Sequence, residues 1–522
     1  MILINSSPKD ALKIFQPFLP IYVPIGIGII ASVLDREQIP NLIIDEQIEE
    51  DVHAKIDQYI STIKPPYFFG FSVLTSALSS AVFLSNYLKN KYPDSVICFG
   101  GVHPTAAPDE ILQFDHIDIV VRGEAEMLLP KLYERIKERN DFTDLSNISF
   151  KRQGEIIHNQ RALVITDLDS LPLFPYHRFT SPRYDIGFIV SSRGCPYHCI
   201  FCSNRITTGN QYRFRSHEYI LEELELLYHQ YGKKFVLFQD DNMLVNKSRL
   251  YQLLEGIQLR GLHKKMTFSC QGRGDNVSYD LLKDMYSSGF RSIFFGLETA
   301  SNRLMKVINK GENVEQCIEA VRIAKQIGFH VSATFIYGLP GETHQDRMDS
   351  LQLSKQLELD MVRYNNATPY PGTELFNIAT QEKRIHIHHL YENFVSVGTF
   401  IENPFKPIPF SYVPPNNTEK GIRRDILFSY LVFYLDFKRL KRILSTKKEG
   451  VGWFSVGANL FDILKKIPAL VLLGCQMFLK YVLFFGDVVK DHQLRYYQHL
   501  AISIQKKNSL MSTRYTNDRT KN

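Results

Sequence analysis

The feature that most constrains the fold of this chain is a repeated alternation of short apolar runs with amphipathic segments. Such alternation is typical of a parallel sheet covered by helices on both faces. We therefore predict an α/β protein. In the first 140 residues the predicted strands are 2–5, 41–45, 68–72, 95–99 and 117–121.

A second series of alternating segments runs from about residue 185 to 371 and contains six strand–helix units. Six units predict an open or partial β/α barrel. Its predicted strands are 187–191, 235–239, 267–270, 292–296, 331–337 and 361–367. Polar residues cluster where these strands end, which is the side on which β/α barrels carry their chemistry. The Pro-rich, polar segment between the two series, 141–184, is predicted to be an irregular linker.

Three cysteines, Cys195, Cys199 and Cys202, follow the first of the six strands with the spacing C-x3-C-x2-C. Thiolates at this density bind Fe–S clusters or zinc. A cubane cluster has four irons, so three cysteines would leave one iron open. The alternative is a zinc site in which His198 is the fourth ligand. The other cysteines are predicted to be reduced packing residues of a cytosolic protein: Cys98, Cys270, Cys317 and Cys475.

The predicted strands of the first series end in turns that combine glycines with small polar residues. Glycine lets a backbone approach a flat ligand closely, and hydroxyl groups supply uncharged hydrogen bonds. Ligands of parallel sheets bind outside the carboxyl ends of the strands. The candidate binding residues on these turns are Ser72, Leu74, Thr75, Gly100, Gly101, His103 and Glu124.

The cysteine motif, with Phe201 directly before its last cysteine, resembles that of the radical S-adenosylmethionine (SAM) enzymes. The turns of the first series resemble those of a cobalamin-binding domain. Together they imply an N-terminal flavodoxin-like (Rossmann-type) cobalamin-binding domain at 1–140 and, after the linker, a partial (β/α)6 radical SAM barrel at 185–395. A C-terminal helical region follows at 396–522. The alternative for the first domain is a flavodoxin-like fold without a cofactor.

The resemblance implies three cofactors: a 4Fe-4S cluster, SAM and cobalamin. The three cysteines would bind three irons, and the amino and carboxylate groups of SAM would bind the fourth. Asp240 and Asp241 occupy the position of the motif that accepts hydrogen bonds from the SAM ammonium. Glu298 lies where the family often contacts the ribose or amino group, and the backbone near Phe201 is expected to meet adenine.

The sequence departs from the family patterns at two places. Gly338 belongs to a match with the fifth-strand adenine motif, but the acid of that motif falls one residue late, at Glu342. The cobalt-ligating histidine of the best-known cobalamin domains is also missing, because the segment after the first strand begins at Ser7 and contains no histidine.

By resemblance, the reaction expected is methylation of an unactivated carbon in a hydrophobic or natural-product substrate. A 5′-deoxyadenosyl radical would abstract hydrogen, and methylcobalamin would supply the methyl group. The alternatives are oxidative cyclisation or rearrangement with the same cofactors, and a non-catalytic cobalamin or redox sensor. The expected partners are a small, lipid-like molecule and an electron donor such as flavodoxin or ferredoxin. No nucleic-acid partner is expected.

The basic charge of the chain is concentrated near its C-terminus. The net charge is +6, and residues 401–522 alone carry +11. An apolar run at 467–485 with lysine flanks predicts either interfacial helices on anionic lipid or a buried helical cap over the active site. The first residues lack a basic segment and predict a strand rather than a signal peptide. We therefore expect a cytoplasmic protein, with peripheral membrane contact as one hypothesis.

Overall fold

The computed structural model describes residues 1–8, 21–162, 164–402, 407–436, 439, 471–472 and 474–482. The N-terminal region is built on one sheet with the strand order β3-β1-β4-β5-β6-β7-β8, of which the first five strands are parallel. These five confirm the predicted strands. The strands of this region are β1 (Ile2–Asn5), β2 (Ile21–Tyr22), β3 (Leu42–Asp45), β4 (Phe68–Ser72), β5 (Val96–Gly100), β6 (Ile119–Val121), β7 (Ile148–Arg152) and β8 (Glu155–His158).

Helices cover both faces of this sheet. Consecutive residues of β1 point to opposite faces, and Ile4 and Leu3 accordingly belong to two separate apolar clusters. This arrangement is the predicted flavodoxin-like fold. The helices are α1 (Ile25–Arg36), α2 (Val52–Ile60), α3 (Leu78–Lys91), α4 (Val102–Ala106), α5 (Pro108–Leu112) and α6 (Leu129–Lys137).

The segment predicted to be an irregular linker contains a β-hairpin, so that prediction was wrong for residues 148–158. β7 pairs antiparallel with β6, and β8 pairs antiparallel with β7. The two-residue turn is Gln153-Gly154, with φ of 53° and 85°. Positive φ at both positions is the geometry of a type I′ hairpin turn, which usually has Asn or Asp first. The hairpin was not predicted because the first turn position is glutamine, which does not signal this turn type.

The central region forms the predicted partial barrel. Its six-stranded sheet is parallel throughout, in the order β10-β13-β14-β15-β16-β17, and its first and last strands do not pair. Two short ladders flank it, β2 with β9 and β11 with β12. The strands are β9 (Tyr184–Asp185), β10 (Phe188–Ile189), β11 (Ser192–Arg193), β12 (Arg213–Phe214), β13 (Phe235–Phe238), β14 (Thr267–Gly272), β15 (Phe290–Glu298), β16 (His330–Tyr337) and β17 (Met361–Asn366).

Most helices of this region begin at side-chain caps; α7 and α15 do not. α12 shows the pattern: Asn313 and Gln316 form a capping box at its start, and Gly328, with φ of 115°, ends it. The helices are α7 (Asn204–Thr208), α8 (His217–His229), α9 (Lys247–Leu259), α10 (Tyr279–Ser287), α11 (Asn302–Val307), α12 (Val314–Ile327), α13 (His344–Gln356), α14 (Glu374–Gln381), α15 (Gly398–Ile401) and α16 (Glu419–Tyr434).

The C-terminal helix α16 lies along β17, the last strand of the barrel sheet. The Tyr430 hydroxyl accepts a hydrogen bond from the backbone N–H of Tyr364 at 3.0 Å. The Tyr434 hydroxyl accepts one from the N–H of Val362 at 3.1 Å and donates one to its carbonyl oxygen at 2.8 Å. α16 is therefore part of the barrel's packing, and it covers an edge that the strands leave open.

The predicted apolar run at 467–485 lies only partly within the described residues. In the helical stretch 474–482, Met477 is buried, and the buried Lys480 ammonium donates to the carbonyl oxygens of Thr399 and Phe400 at 3.1 and 3.0 Å. One face of this stretch thus packs on the barrel. Among the described helices, none has the length and apolar content needed to cross a bilayer.

Candidate active site at the junction of two domains

Asp240 fixes the loop that leads into the three cysteines. Its Oδ1 atom accepts hydrogen bonds from the backbone N–H groups of Ser191 and Ser192 at 2.7 and 3.0 Å, and its Oδ2 atom accepts one from the Ser191 hydroxyl. Asp240 is completely buried. Because both oxygens are used inside the protein, we correct the predicted role of Asp240: it positions the cysteine loop. For Asp241, the prediction that it accepts hydrogen bonds from the SAM ammonium remains.

Asp241 lies on the open side of the same loop. Its carboxylate is exposed and lies beside the Asn204 side chain and the backbone of Gly194. It is also close enough to Cys195 and Cys202 to interact with both thiols electrostatically. Of the two neighbouring aspartates, Asp241 is the one that offers a carboxylate next to the cysteines.

The three cysteines are half-buried on one loop, with the thiols free. Burial raises the pKa of all three thiols, that of Cys202 to about 11, so cluster uptake releases protons. Among the described residues, His388, His389 and Glu392 form a group whose three ligand atoms lie within 4.8 Å of one another. The three cysteines do not form such a group.

The distances among the cysteine sulfurs argue against the zinc alternative, because the three sulfurs do not all lie within 4.8 Å of one another. Four bonds of about 2.3 Å around one zinc ion bring sulfur atoms to roughly 3.8 Å from one another. The proposed fourth ligand, His198, is also exposed on the outside of the loop. A larger, multi-iron group fits the cysteine loop better than a single ion.

Glu298 is the predicted SAM contact whose geometry points most clearly to a ligand. It ends β15 at an irregularity in the strand and has a left-handed φ of 60°, which is strained for a residue with a side chain. Its Oε1 atom accepts a hydrogen bond from the Lys310 ammonium at 3.0 Å. Its Oε2 atom is buried without a partner. An unpaired buried carboxylate oxygen is costly, and a donor group of a bound ligand would satisfy it.

Lys310 was not identified from the sequence. Its ammonium lies 3.0 Å from Glu298 and 3.6 Å from Glu312, and all three side chains are buried. Burial acts to lower the pKa of Lys310, but Glu298, Cys199 and Glu312 outweigh it and raise the pKa above its ordinary value. Lys310 thus offsets part of the charge of two buried carboxylates directly beside the cysteine loop.

Arg273, which follows strand β14, also lies beside the cysteines. Its guanidinium stacks on the Tyr197 ring at 3.5 Å, pairs with Asp275 at 2.9 Å, and reaches the Cys199 sulfur at 4.0 Å. Lys310 and Arg273 place two buried positive charges near Cys199. Both are paired with carboxylates, Lys310 with Glu298 and Glu312 and Arg273 with Asp275, so they offset part of the negative charge around Cys199.

Phe201 and Gly338 occupy strand-end positions, but the acid after Gly338 points inward. Phe201 is half-buried against the main core. Gly338, with φ of 84°, donates its N–H to the Glu342 carboxylate. Glu342 also accepts from Arg347 at 3.1 Å, and Arg347 bonds Asp425 on α16 at 2.7 Å. Burial raises the pKa of Glu342 to about 7, opposed by Arg347. Glu342 therefore joins α16 to the barrel.

The candidate cobalamin turns lie together at the carboxyl ends of β4, β5 and β6. The N–H of Val73 donates to the Gly100 carbonyl oxygen at 2.9 Å, and the N–H of Gly123 donates to the Thr105 hydroxyl at 3.0 Å. Gly101 has φ of 98°, and a side chain there would lie 2.9 Å from the Val73 nitrogen. The fold thus brings together the turns that carry the predicted binding residues: Ser72, Leu74, Thr75, Gly100 and Gly101.

The surface of these turns is apolar and suits a large flat ligand. Leu74 is 59% exposed although it sits at the end of a buried strand. The acidic residues of the third turn, Glu124 and Glu126, are directed away into ion pairs with Arg193. An exposed leucine at the carboxyl ends of parallel strands marks a place where a ligand would bury it.

Two of the predicted cobalamin contacts have other surroundings in the structure. His103 is 1% exposed, and its ring meets the Tyr391 ring at 4.9 Å. Burial lowers the pKa of His103 to about 3. Glu124 pairs with Arg193 at 3.0 Å and Arg213 at 2.9 Å. We therefore correct both roles: His103 packs beneath the turns, and Glu124 links the two domains.

The cysteine loop and the cobalamin turns meet. Helix α4, which follows the Gly100-Gly101 turn, packs against helix α7, which follows Cys202. A side chain at Gly372 would lie 2.9 Å from Ile206 of α7 and 3.1 Å from Ala106 of α4. The two candidate cofactor sites are therefore next to each other.

Known proteins share both halves of this arrangement. A sequence profile of the radical SAM superfamily matches residues 189–354, and a profile of the B12 binding domain matches residues 15–132. An uncharacterized methyltransferase of Pyrococcus horikoshii is 31% identical over 68% of this chain and 78% of its own length. An anaerobic magnesium-protoporphyrin IX monomethyl ester cyclase of Cereibacter sphaeroides is 26% identical over 68% of this chain and 59% of its own length.

A solved structure agrees with the fold. The cobalamin-dependent SAM radical enzyme OxsB, with aqua-cobalamin bound, superposes with a TM-score of 0.65 at 17% identity, over 97% of this chain and 84% of its own. At this identity the likeness concerns the fold. Taken with the profile matches and the archaeal relative, it shows that the chain belongs to the radical SAM enzymes that carry an N-terminal cobalamin-binding domain.

Proposed function

We propose that this radical SAM enzyme is a cobalamin-dependent methyltransferase that acts on an unactivated carbon of a hydrophobic small molecule. The observation that carries the proposal is the contact of α4 with α7, because it places the cobalamin turns directly beside the cysteine loop. Chemistry that uses both cofactors on one substrate needs this adjacency. The archaeal relative named as a methyltransferase supports the choice of reaction.

We assign the three cofactors to separate sets of residues. Cys195, Cys199 and Cys202 would hold three irons of the cluster, and Asp241 and Glu298 would accept hydrogen bonds from SAM. Ser72, Leu74 and Thr75, with Gly100 and Gly101, would contact cobalamin, while Phe201 and Gly338 would border the adenine. When bound, the cofactors supply radical formation and methyl transfer, and the protein supplies position and exclusion of water.

A second candidate is a radical reaction without methyl transfer, and the cyclase relative favours it. An anaerobic incubation of reduced, reconstituted enzyme with candidate substrates separates the two. Methylation by the proposed route yields S-adenosylhomocysteine together with 5′-deoxyadenosine. Cyclisation or rearrangement yields 5′-deoxyadenosine without S-adenosylhomocysteine, and that result would replace our proposal. A sensor would yield neither product.

We expect bound cobalamin to be base-off, without a histidine ligand to cobalt. In the described part of the domain, the histidine on the candidate turns is His103, and it is buried against Tyr391. Electron paramagnetic resonance of the Co(II) form reports the axial ligand directly. Nitrogen superhyperfine splitting from an axial base would contradict the prediction, and a His103→Phe variant would show whether that base is His103.

We further propose that the C-terminal region contacts anionic membrane surfaces. Two observations support this: the charge of +11 after residue 400, and an apolar surface on the described stretches 471–472 and 474–482. The exposed side chains of this surface are Val471, Leu472, Phe478 and Val482. A hydrophobic substrate would reach the enzyme from such a surface.

The full chain is expected to bind vesicles containing anionic lipid. Salt should weaken this binding but not release the protein fully. Each basic residue near the surface contributes about 1 kcal/mol that salt screens, whereas apolar burial persists. A truncation after residue 440 keeps α16 and Arg439, and should lose binding while circular dichroism stays native. Absence of binding by the folded full chain contradicts the membrane proposal, and unfolding of the truncated chain supports a structural cap.

A further inference from the structure

Four buried charged side chains connect the cobalamin turns to the cysteine loop. Arg193 stands two residues before Cys195 and pairs with Glu124 at 3.0 Å and Glu126 at 2.7 Å. Arg213 donates to both oxygens of Glu124 at 2.9 Å. We call these four residues, Arg193, Arg213, Glu124 and Glu126, the interdomain bridge.

The backbone holds both ends of the bridge firmly. Arg193 and Arg213 face each other across the β11–β12 ladder. Glu124 and Glu126 follow β6, and Glu124 also accepts the N–H of Ile165 at 2.8 Å. The acidic end therefore belongs to the third cobalamin turn, and the basic end to the loop that carries the cysteines.

The bridge is balanced and mostly shielded from water. Its two positive and two negative side chains are between 4% and 12% exposed. Removing one partner leaves a buried charge uncompensated, which is far costlier than losing a surface ion pair. The Arg193 guanidinium bridges two carboxylates through separate nitrogens, and such charge-assisted hydrogen bonds also fix orientation.

We propose that the interdomain bridge sets the separation and orientation of cobalamin relative to the cluster, so that SAM molecules bound in turn at one position can serve either centre. The proposal rests on the proposed function. It makes Arg193 and Glu126 positioning residues, which touch neither cofactor but fix where the two sites stand. It also explains why the acids of the third turn face the barrel instead of the cobalamin surface.

The test uses reconstituted full-length enzyme, Arg193→Gln and Glu126→Gln, with Arg193→Lys as the conservative variant. The matched control is Arg178→Gln, because the pair of half-buried Arg178 with exposed Asp35, at 3.2 Å, joins the linker to the first domain and is distant in sequence from the cysteines. Iron and cobalamin contents are measured first, and all variants should keep them at wild-type levels.

The decisive measurement is the distance between cob(II)alamin and the reduced cluster by pulsed electron paramagnetic resonance. We expect one narrow distribution for wild type and Arg178→Gln, and a broadened or shifted one for Arg193→Gln and Glu126→Gln. Transfer of the SAM methyl group to reduced cobalamin, followed by visible absorption without substrate, should slow at least 10-fold in these two variants and partly recover in Arg193→Lys.

The outcomes separate this inference from the proposed function. Unchanged distances and rates in both glutamine variants would overturn the positioning role, even if their melting temperatures fell. Loss of cobalamin or iron from Glu126→Gln would also overturn it, since the residue would then hold a cofactor. If wild type transfers no methyl group to cobalamin, the proposed function fails, while the distance measurement still decides whether the bridge positions the two centres.

Discussion

Replacing Cys199 with alanine is expected to abolish the four-iron cluster and, with it, reductive cleavage of SAM. Each of the three thiolates would hold one iron, and no fourth cysteine lies on the described loop to replace a missing one. The iron content of anaerobically reconstituted protein should fall from about four per chain to near zero, because each cubane iron needs a ligand. The 5′-deoxyadenosine formed under reduction should fall to background.

The matched control is Cys475→Ala, because Cys475 is exposed and belongs to the C-terminal region. It should keep full iron content and activity. Stoichiometric zinc without iron in the anaerobically purified wild type would contradict the cluster assignment. A Cys199→Ala protein that retains four irons and cleaves SAM at the wild-type rate would contradict the ligand assignment.

Replacing Lys310 with methionine is expected to cause the largest loss of stability at the site. Methionine has a similar volume but leaves the buried carboxylates of Glu298 and Glu312 without the ammonium that neutralises them. Breaking a buried ion pair by removing one partner costs about 3–5 kcal/mol. Glu298 should also lose its fixed orientation, so SAM affinity measured by equilibrium dialysis should fall as well.

Urea unfolding of Lys310→Met, followed by circular dichroism, measures the loss in free energy of unfolding. The control is Lys137→Met, which removes a surface lysine 3.8 Å from Glu134 and should cost only about 0–1 kcal/mol. Lys310→Arg keeps the charge and should retain most of the SAM affinity. Equal effects of Lys310→Met and Lys137→Met would show that the buried lysine does not stabilise the carboxylate pair.

The architecture was predictable from sequence because strands buried on both faces appear as continuous apolar runs. All five parallel strands of the first sheet and all six of the barrel were found in this way. The β7–β8 hairpin was missed because its turn, Gln153-Gly154, lacks the usual asparagine or aspartate. A C-terminal helical region was predicted at 396–522, and α16, Glu419–Tyr434, is its longest described helix.

The site was predictable at the level of motifs but not of partners. Spacing alone predicted the three cysteines, and strand ends predicted Asp241 and Glu298; the roles of these residues as ligands stay predictions. Lys310 had no such signal, since it lies in a loop and acquires its role from residues brought to it by folding. Glu124 was misassigned for the same reason: a carboxylate at a strand end looked available to a ligand, but Arg193, 69 residues further along the chain, occupies it.

The tyrosines of α16 have a consequence for how this protein avoids self-association. A sheet that does not close into a full barrel ends in strands with free N–H and C=O groups, and such strands readily recruit a strand from another chain. On β17, the Tyr430 and Tyr434 hydroxyls bond the backbone groups of Tyr364 and Val362. Side chains of a helix thereby take the place of a seventh strand, and the edge is closed to aggregation.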